Sequence, residues 1–388
     1  MIRTLPTQTT STDTLLSFRY QDDGVAAIPL TPLQKRFVRQ VVEKLRSGQY
    51  PLESVPCAVC GGHDFEQLAA KDRYGIPLST QICKNCGLVQ TNPRMTQAAY
   101  NEFYNCEYRP LYEGELRANP KPLRLQYARG VALREYVARF LSHPPQETRI
   151  LEVGCGAGGV LQAFHEVGFQ VQGIDLGEEY VTYGREHLGL DLTVATIHEV
   201  DLKRRPHMVL YSHVIEHILD LESEFRQVHR LLSPDGLLVI ETPGLYHIPV
   251  NYAHDCLRYL QNAHVYTFSL RTLCNVLEPL GFRLLSGTEQ VRAVFVALPQ
   301  GTSARPQSDY PQARDFLRAT ELQFLLEVGL QRLGTAPVEA VLHFSQVIES
   351  FPTAPLAYHL LALALEKAGR AREARRIRAA AARLPLAH

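Results

Sequence analysis

Between Ile150 and Gly159 the chain reads Ile-Leu-Glu-Val-Gly-Cys-Gly-Ala-Gly-Gly, and glycines at 154, 156, 158 and 159 leave few options for what can surround them. Ile150, Leu151 and Val153 have strand character around Glu152, whereas Val160, Leu161, Phe164 and Val167 recur at three- and four-residue steps. A strand therefore runs through a glycine-rich turn into a helix. Such a turn lets a ligand come close to the main chain and aims free N–H groups at it. A second strand, Gln170 to Asp175, ends on a carboxylate 21 residues after Gly154. At that separation an acidic residue reaches a ribose in a dinucleotide-binding βαβ unit. Gly154-x-Gly156-x-x-Gly159 also fits a nicotinamide fingerprint, so the glycines alone leave two kinds of cofactor open.

Glu152, two positions before the first glycine, narrows the choice. Glu-x-Gly-x-Gly-x-Gly over 152–158 resembles the first motif of class I S-adenosylmethionine-dependent methyltransferases, and Gly173-Ile-Asp175 resembles the second. Val209 to His217 and Leu231 to Ile240 resemble later segments of the same family, and the four together cover roughly residues 148 to 298. The resemblance implies an α/β chain with a Rossmann-like seven-stranded methyltransferase sheet and S-adenosylmethionine as cofactor. It implies cofactor contacts from Glu152, Gly154, Gly156, Gly158, Asp175 and Leu176, and from His213 at the end of a strand over 208–212. Ligands in open α/β sheets lie beyond the carboxyl ends of the strands. Glu216 and His217 fall there, as candidates for a base or for ligands of a divalent ion.

Cys57-Ala-Val-Cys60-Gly61 and Cys83-Lys-Asn-Cys86-Gly87 carry the second strong signal. Two such knuckles supply four thiolates to one closed tetrahedral ion, which favours zinc in a structural rather than a catalytic role. A zinc-binding module is expected over 51–115. With Asn92-Pro93-Arg94 and the aromatic residues Phe103, Tyr104, Tyr108 and Tyr112, it resembles the N-terminal zinc module of a group of class I methyltransferases that includes the sugar C-methyltransferases, where the module helps to enclose substrate. The loop from Leu245 to Gln261 is longer than a connection needs and reads as a substrate lid. Its exit, Gln261 to Phe268, resembles the Tyr-x-Glu-His-x-x-Tyr-Phe stretch of those enzymes, which implies His264 as the catalytic base. Gln261 and Ala263 stand where that stretch has tyrosine and glutamate, so the carboxylate that would orient the imidazole is missing from the motif. An ordinary imidazole pKa of about 6.5 is the corresponding expectation.

A chain of 388 residues with 45% hydrophobic content has room for two or three domains. Its 40 basic residues balance 40 acidic ones, which disfavours a nucleic-acid partner and hence RNA methylation. No apolar run is long enough to span a membrane and no signal segment opens the chain, so a cytoplasmic protein with metal-ligating rather than disulfide-bonded cysteines is expected. Residues 1–50 read as a loosely attached leader followed by an amphipathic helix from Thr31-Pro32. The methyltransferase domain is expected over 116–298, with Gly281-Phe282 as a turn before a last strand over 291–297, and a Pro-, Gln- and Ser-rich linker over 299–320. Residues 321–388 divide into two blocks of 34 in which Ala340 answers Ala374 and Phe324 answers Tyr358. This resembles the tetratricopeptide repeat, which implies helical repeats docked on the catalytic domain or on another chain. The leading functional expectation is methyl transfer to a small polar acceptor. Its rival is a cofactor-binding scaffold that uses its repeats for a protein partner.

Overall fold

The computed structural model describes residues 15–115, 123–299 and 306–384. The first part of the expected leader, the middle of the linker and the end of the second repeat lie outside these residues. In chain order the elements are α1 (Pro32–Ser47), β1 (Leu52–Glu53), β2 (Phe65–Ala69), β3 (Thr80–Cys83), β4 (Val89–Thr91), β5 (Arg94–Met95), α2 (Gln97–Cys106), α3 (Tyr108–Tyr112) and α4 (Leu123–Val137). There follow β6 (Arg149–Val153), α5 (Gly159–His165), β7 (Gln170–Asp175), α6 (Glu178–Leu188), β8 (Leu192–Val194), β9 (Met208–Ser212), α7 (Leu221–Leu231) and β10 (Leu237–Glu241). The remainder is α8 (Ile248–Tyr252), α9 (Cys256–Tyr259), β11 (Tyr266–Thr267), α10 (Leu270–Leu277), β12 (Phe282–Gly287), β13 (Arg292–Ala297), α11 (Tyr310–Thr335), α12 (Pro337–Ser350), α13 (Pro355–Lys367) and α14 (Ala371–Ala381).

The seven-stranded sheet has the order β12-β13-β10-β9-β6-β7-β8, with β13 antiparallel to both of its neighbours and the others parallel. Its central strands β6, β9 and β10 are mostly apolar and buried almost along their whole length, because both faces are covered. Met208 and Leu210 point into one core with Leu133, Val137, Leu161 and Phe164, while Val209 and Tyr211 point into another with Phe225, Leu273 and Leu277. Strand order reverses between β6 and β9, and that reversal opens a crevice beyond their carboxyl ends.

Three expectations need correction. The expected turn at Gly281-Phe282 opens a further strand, β12, which the register with β13 holds in place despite a sequence that trails into Ser286-Gly287. The described part of the leader is not loosely attached: Leu16 and Tyr20 are buried, and Leu16 N donates to Leu68 O at 3.0 Å. The linker is helical from Tyr310, because Pro311 stands in the first turn of α11, where a proline fits, rather than in an extended connection.

Strands of the segment expected to be the zinc module, called the ribbon below, form with β11 a four-stranded sheet of order β11-β4-β3-β2, so the exit of the expected lid is one of its strands. The α11 helix ties the parts together. Ala313 and Leu317 near its start pack with ribbon and lid residues, and Leu325 and Leu333 further on pack with α12 and α13. At the 34-residue offset the second part of α11 and α12 correspond to α13 and α14, and Ala340 and Ala374 are both fully buried.

Candidate active site

The glycine turn forms as its spacing predicts. Gly154, Gly156 and Gly158 all have positive φ, which a residue with a Cβ adopts at a cost. Their surroundings differ. A Cβ at Gly154 would lie 2.4 Å from the Val214 side chain, and one at Gly158 would lie 2.5 Å from Leu190, so both positions need glycine for packing. A Cβ at Gly156 would meet nothing within 4 Å, so the turn is open to a ligand there. Asp175 closes the turn from β7: its Oδ2 accepts from Gly156 N at 2.8 Å and its Oδ1 from Gly177 N at 2.7 Å. Burial raises its carboxyl, against the pull of those N–H groups. Leu176, next in sequence, is 70% exposed. Glu152 is buried on β6 with Oε2 unpartnered, and burial first, then the Asp175 charge, raises its carboxyl well above the usual range. A buried carboxyl oxygen without a partner, two residues before an open glycine turn, is left for a hydrogen-bond donor of a ligand.

Across the crevice, His213 ends β9 in a left-handed conformation at φ 60, and its N–H donates to Glu241 O at 2.7 Å. Glu216 and His217 follow in a single 3-10 turn. Glu216 is 1% exposed: Oε2 accepts from Thr242 Oγ1 at 2.8 Å, and Oε1 has no hydrogen-bond partner. Around Oε1 stand His213 Nδ1 at 3.7 Å and His217 Nε2 at 3.9 Å. Ligand atoms of Glu216, His217 and His264 all lie within 4.8 Å of one another. The tertiary structure thus supplies from beyond β9 the carboxylate that the stretch around His264 lacks.

Hydrogen-bond partners settle both tautomers. His217 Nδ1 lies 2.9 Å from Ala263 O and 2.9 Å from Tyr104 Oη. A carbonyl can only accept, so Nδ1 carries the proton and Nε2 keeps its lone pair. His264 is fixed from further away. Arg73 Nη2 donates to Gln261 Oε1 at 2.8 Å, which turns the Gln261 amide nitrogen onto His264 Nε2. His264 Nε2 therefore accepts, and the proton sits on Nδ1, which is buried without a partner. Sequence reasoning missed Arg73 and Gln261 as functional residues. The departure of Gln261 from the related motif was the one available signal.

Burial works to raise the Glu216 carboxyl, but His213, His217 and His264 outweigh it and hold it at about 2. Burial lowers His217, with Glu216 opposing, and lowers His264 well below the usual imidazole value, helped by His217. This corrects the expected ordinary value for His264: the carboxylate is present, yet desolvation outweighs it. At neutral pH the cluster is one anion beside two neutral imidazoles.

The ribbon and its aromatic tail cover this cluster. Arg73 N donates to Leu260 O at 2.9 Å, Asn262 N to Asp72 Oδ2 at 3.1 Å, and Tyr100 Oη to Asn262 O at 3.0 Å. The rings of Tyr104 and Tyr108 stand edge-on to His217 at 6.1 and 6.4 Å. At the far side of the ribbon, Cys57 Sγ lies 3.4 Å from Cys86 Sγ, and Cys60 Sγ lies 3.5 Å from Cys83 Sγ. Those distances are too long for disulfides and of the size that one shared tetrahedral ion sets between its sulfurs. Gly61 and Gly87, at φ 67 and 85, make the tight turn of each knuckle.

Residues 125–286 match the family model described as a methyltransferase domain. With the seven-stranded sheet and the glycine turn, this makes that part of the chain a class I S-adenosylmethionine-dependent methyltransferase domain. Among curated relatives, the ubiquinone biosynthesis O-methyltransferase of Bradyrhizobium diazoefficiens is 32% identical over 127 residues, covering 31% of this chain and 50% of that one. The protein of the same name from Rhodopseudomonas palustris strain HaA2 is 33% identical over 128 residues, covering 31% and 50%. The chain spans about half the length of these relatives. Among solved structures, DesVI of Streptomyces venezuelae is similar at 18% identity and a TM-score of 0.36, covering 47% of this chain and 99% of that one. Among the described residues no helix is long and apolar enough to cross a membrane.

Proposed function

We propose that the chain is an enzyme that transfers the methyl group of S-adenosylmethionine to a hydroxyl of a small polar acceptor, with a structural zinc held by Cys57, Cys60, Cys83 and Cys86. The observation that carries this reading is the open cradle at Gly156, rimmed by the Asp175 carboxylate and facing the Glu216–His217–His264 cluster across the crevice. Glu152, Gly156 and Asp175 would hold the cofactor, and exposed Leu176 offers apolar surface to a purine. When bound, S-adenosylmethionine supplies an electrophilic methyl group, and the protein has to supply alignment and exclusion of water.

The two tautomers divide the remaining work. His217 Nε2 has a lone pair and makes no hydrogen bond with the described residues, so it is the nitrogen that takes the acceptor's proton. The Glu216 anion beside it stabilises the imidazolium that results. His264 at rest offers Nδ1–H, a donor suited to hold the acceptor oxygen, while its own lone pair is covered by Gln261. The base role expected of His264 therefore passes to His217, and His264 orients.

A second reading draws on the unpartnered Glu216 Oε1: a divalent ion on Glu216, His217 and a released His264 would activate the acceptor in place of a base. Calorimetric titration of S-adenosylmethionine, followed by a screen of phenols, hydroxy acids, sugars and transfer RNA for methyl uptake, tests the main proposal. Cofactor binding without methyl uptake by any of these would leave the cofactor-binding scaffold as the better account, and no binding of the cofactor would overturn both.

A further inference from the structure

Arg73 is the one cation of the ribbon that faces the cluster without an anion of its own. Among the described residues no carboxylate lies within 4.0 Å of its guanidinium. The adjacent Asp72 is turned away: Oδ1 accepts from Tyr74 N at 2.8 Å and Ile76 N at 3.0 Å, and Oδ2 from Asn262 N. Arg73 Nη2 is spent on Tyr74 Oη at 2.7 Å and on Gln261. Nε is buried and has no partner, and Nη1 makes no hydrogen bond to the described residues. The guanidinium lies 4.8 Å from the Tyr74 ring and 5.3 Å from the Tyr112 ring. A desolvated guanidinium with idle donors is costly unless an anion reaches it. Two routes tie it to the chemistry. One carboxamide separates it from His264, and Tyr112 stacks on Tyr108 at 5.3 Å, whose ring in turn meets His217.

We propose that Arg73 receives an anionic group of the acceptor, a carboxylate or a phosphate, and thereby selects small acids over neutral molecules. This rests on the methyltransferase reading of the same crevice. It is a specificity residue: the anion engages the free donors of the guanidinium between Tyr74 and Tyr112, and the hydroxyl to be methylated falls at His217 and His264. Because a single amide separates the guanidinium from His264, the anionic group and the reacting oxygen belong to one compact molecule. Neutral phenols and free sugars fit the cluster but leave Arg73 unpaired.

The test uses the full chain saturated with S-adenosylhomocysteine and three fluorinated or phosphorylated probes. Fluorine NMR follows 4-fluorobenzoate and its neutral isostere 4-fluorobenzamide, and phosphorus NMR follows phenyl phosphate. At least one anion is expected to broaden on binding and the amide not to, and the stronger of the two anions identifies the carboxylate or the phosphate as the natural group. Arg73→Gln should weaken the bound anion by about tenfold or more, as expected for a lost charge-assisted contact. Arg73→Lys should keep part of the binding. Equal broadening by acid and amide in the unaltered protein, no binding of either anion, or an undiminished anion in a folded Arg73→Gln protein would each overturn the proposal. Failure of S-adenosylhomocysteine to bind in the same samples would instead remove the methyltransferase reading, and it is told apart from failure of the proposal because the comparison of unaltered and Arg73→Gln protein reads the guanidinium alone.

Discussion

Arg73 Nη2 donates to Gln261 Oε1 at 2.8 Å, and because a guanidinium can only donate, that contact decides which nitrogen of His264 is protonated. The pair lies 188 positions apart in the sequence. Nitrogen-detected NMR of the imidazoles should therefore show His264 as the Nδ1–H tautomer. In Gln261→Ala the Nε2–H form should become the major one, because nothing then covers Nε2. An unchanged tautomer in that variant would separate the two residues.

Both imidazoles titrate below the ordinary value, which sets the sign of the pH dependence. Turnover should be flat above about pH 6.5 and fall only at lower pH, where His217 takes up a proton before the acceptor can give one. Stability follows the same direction. The unfolded imidazoles bind protons that the folded ones refuse, so their share of stability is present above pH ~6.5 and is lost as the pH falls toward the folded values. Melting curves of His264→Asn and the unaltered protein should therefore converge on acidification. His217→Ala should cost on the order of a hundredfold in turnover at unchanged cofactor affinity. A divalent ion at the cluster would show instead as loss of activity on chelation, with bound metal above the one zinc proposed for the cysteines.

The glycines of the turn separate ligand binding from packing. Gly156→Val should abolish S-adenosylhomocysteine binding in calorimetry with only a modest fall in melting temperature, of the order of the left-handed strain of about 1–2 kcal/mol. Gly154→Val should unfold or strongly destabilise the domain, because its side chain would overlap Val214. Asp175→Ala should weaken the cofactor about tenfold. Equal stability of the two glycine variants would contradict the assignment.

Removal of the ion proposed at the four cysteines should reach beyond the ribbon. Gly87 of the second knuckle lies so close to α11 that a Cβ there would be 2.6 Å from the backbone of Asp309 and Tyr310, and Asp309 N donates to Cys86 O at 3.0 Å. Cys83→Ser should lower zinc content from about one per chain, lower the melting temperature, and expose the start of α11 to protease. Zinc-free protein with a protected α11 would refute the coupling.

Glu321 of α11 is buried and accepts from Ser17 Oγ at 2.7 Å and Tyr20 Oη at 2.8 Å, with Arg19 bridging it to Asp255 of the lid. Breaking a buried charged network by removing one partner costs about 3–5 kcal/mol. Glu321→Ala should accordingly destabilise the protein by that order and free residues 15–20 for limited proteolysis. Wild-type protease resistance would show that apolar packing alone holds the leader.

The local signals were legible because each is settled by neighbours in the chain. The glycine turn follows from residues whose φ only glycine takes without cost, Asp175 from the length of one βαβ unit, and the meeting of the four thiols from two Cys-x-x-Cys turns. The helix caps are of the same kind: Thr31 and Gln34 form the box that opens α1. What the tertiary structure decided depends on partners far along the chain, which no periodicity encodes. Strand β12 exists because β13 pairs with it, and residues 15–20 of the leader are held because Glu321 and Leu68 receive them. The hydrogen-bond partners of the two histidines belong to the same class. Resemblance to a family motif and position beyond a strand brought His264 and His217 forward, but only the fold sets Ala263 O on one ring and Gln261 on the other. A proton's position on an imidazole is fixed by what its two nitrogens touch.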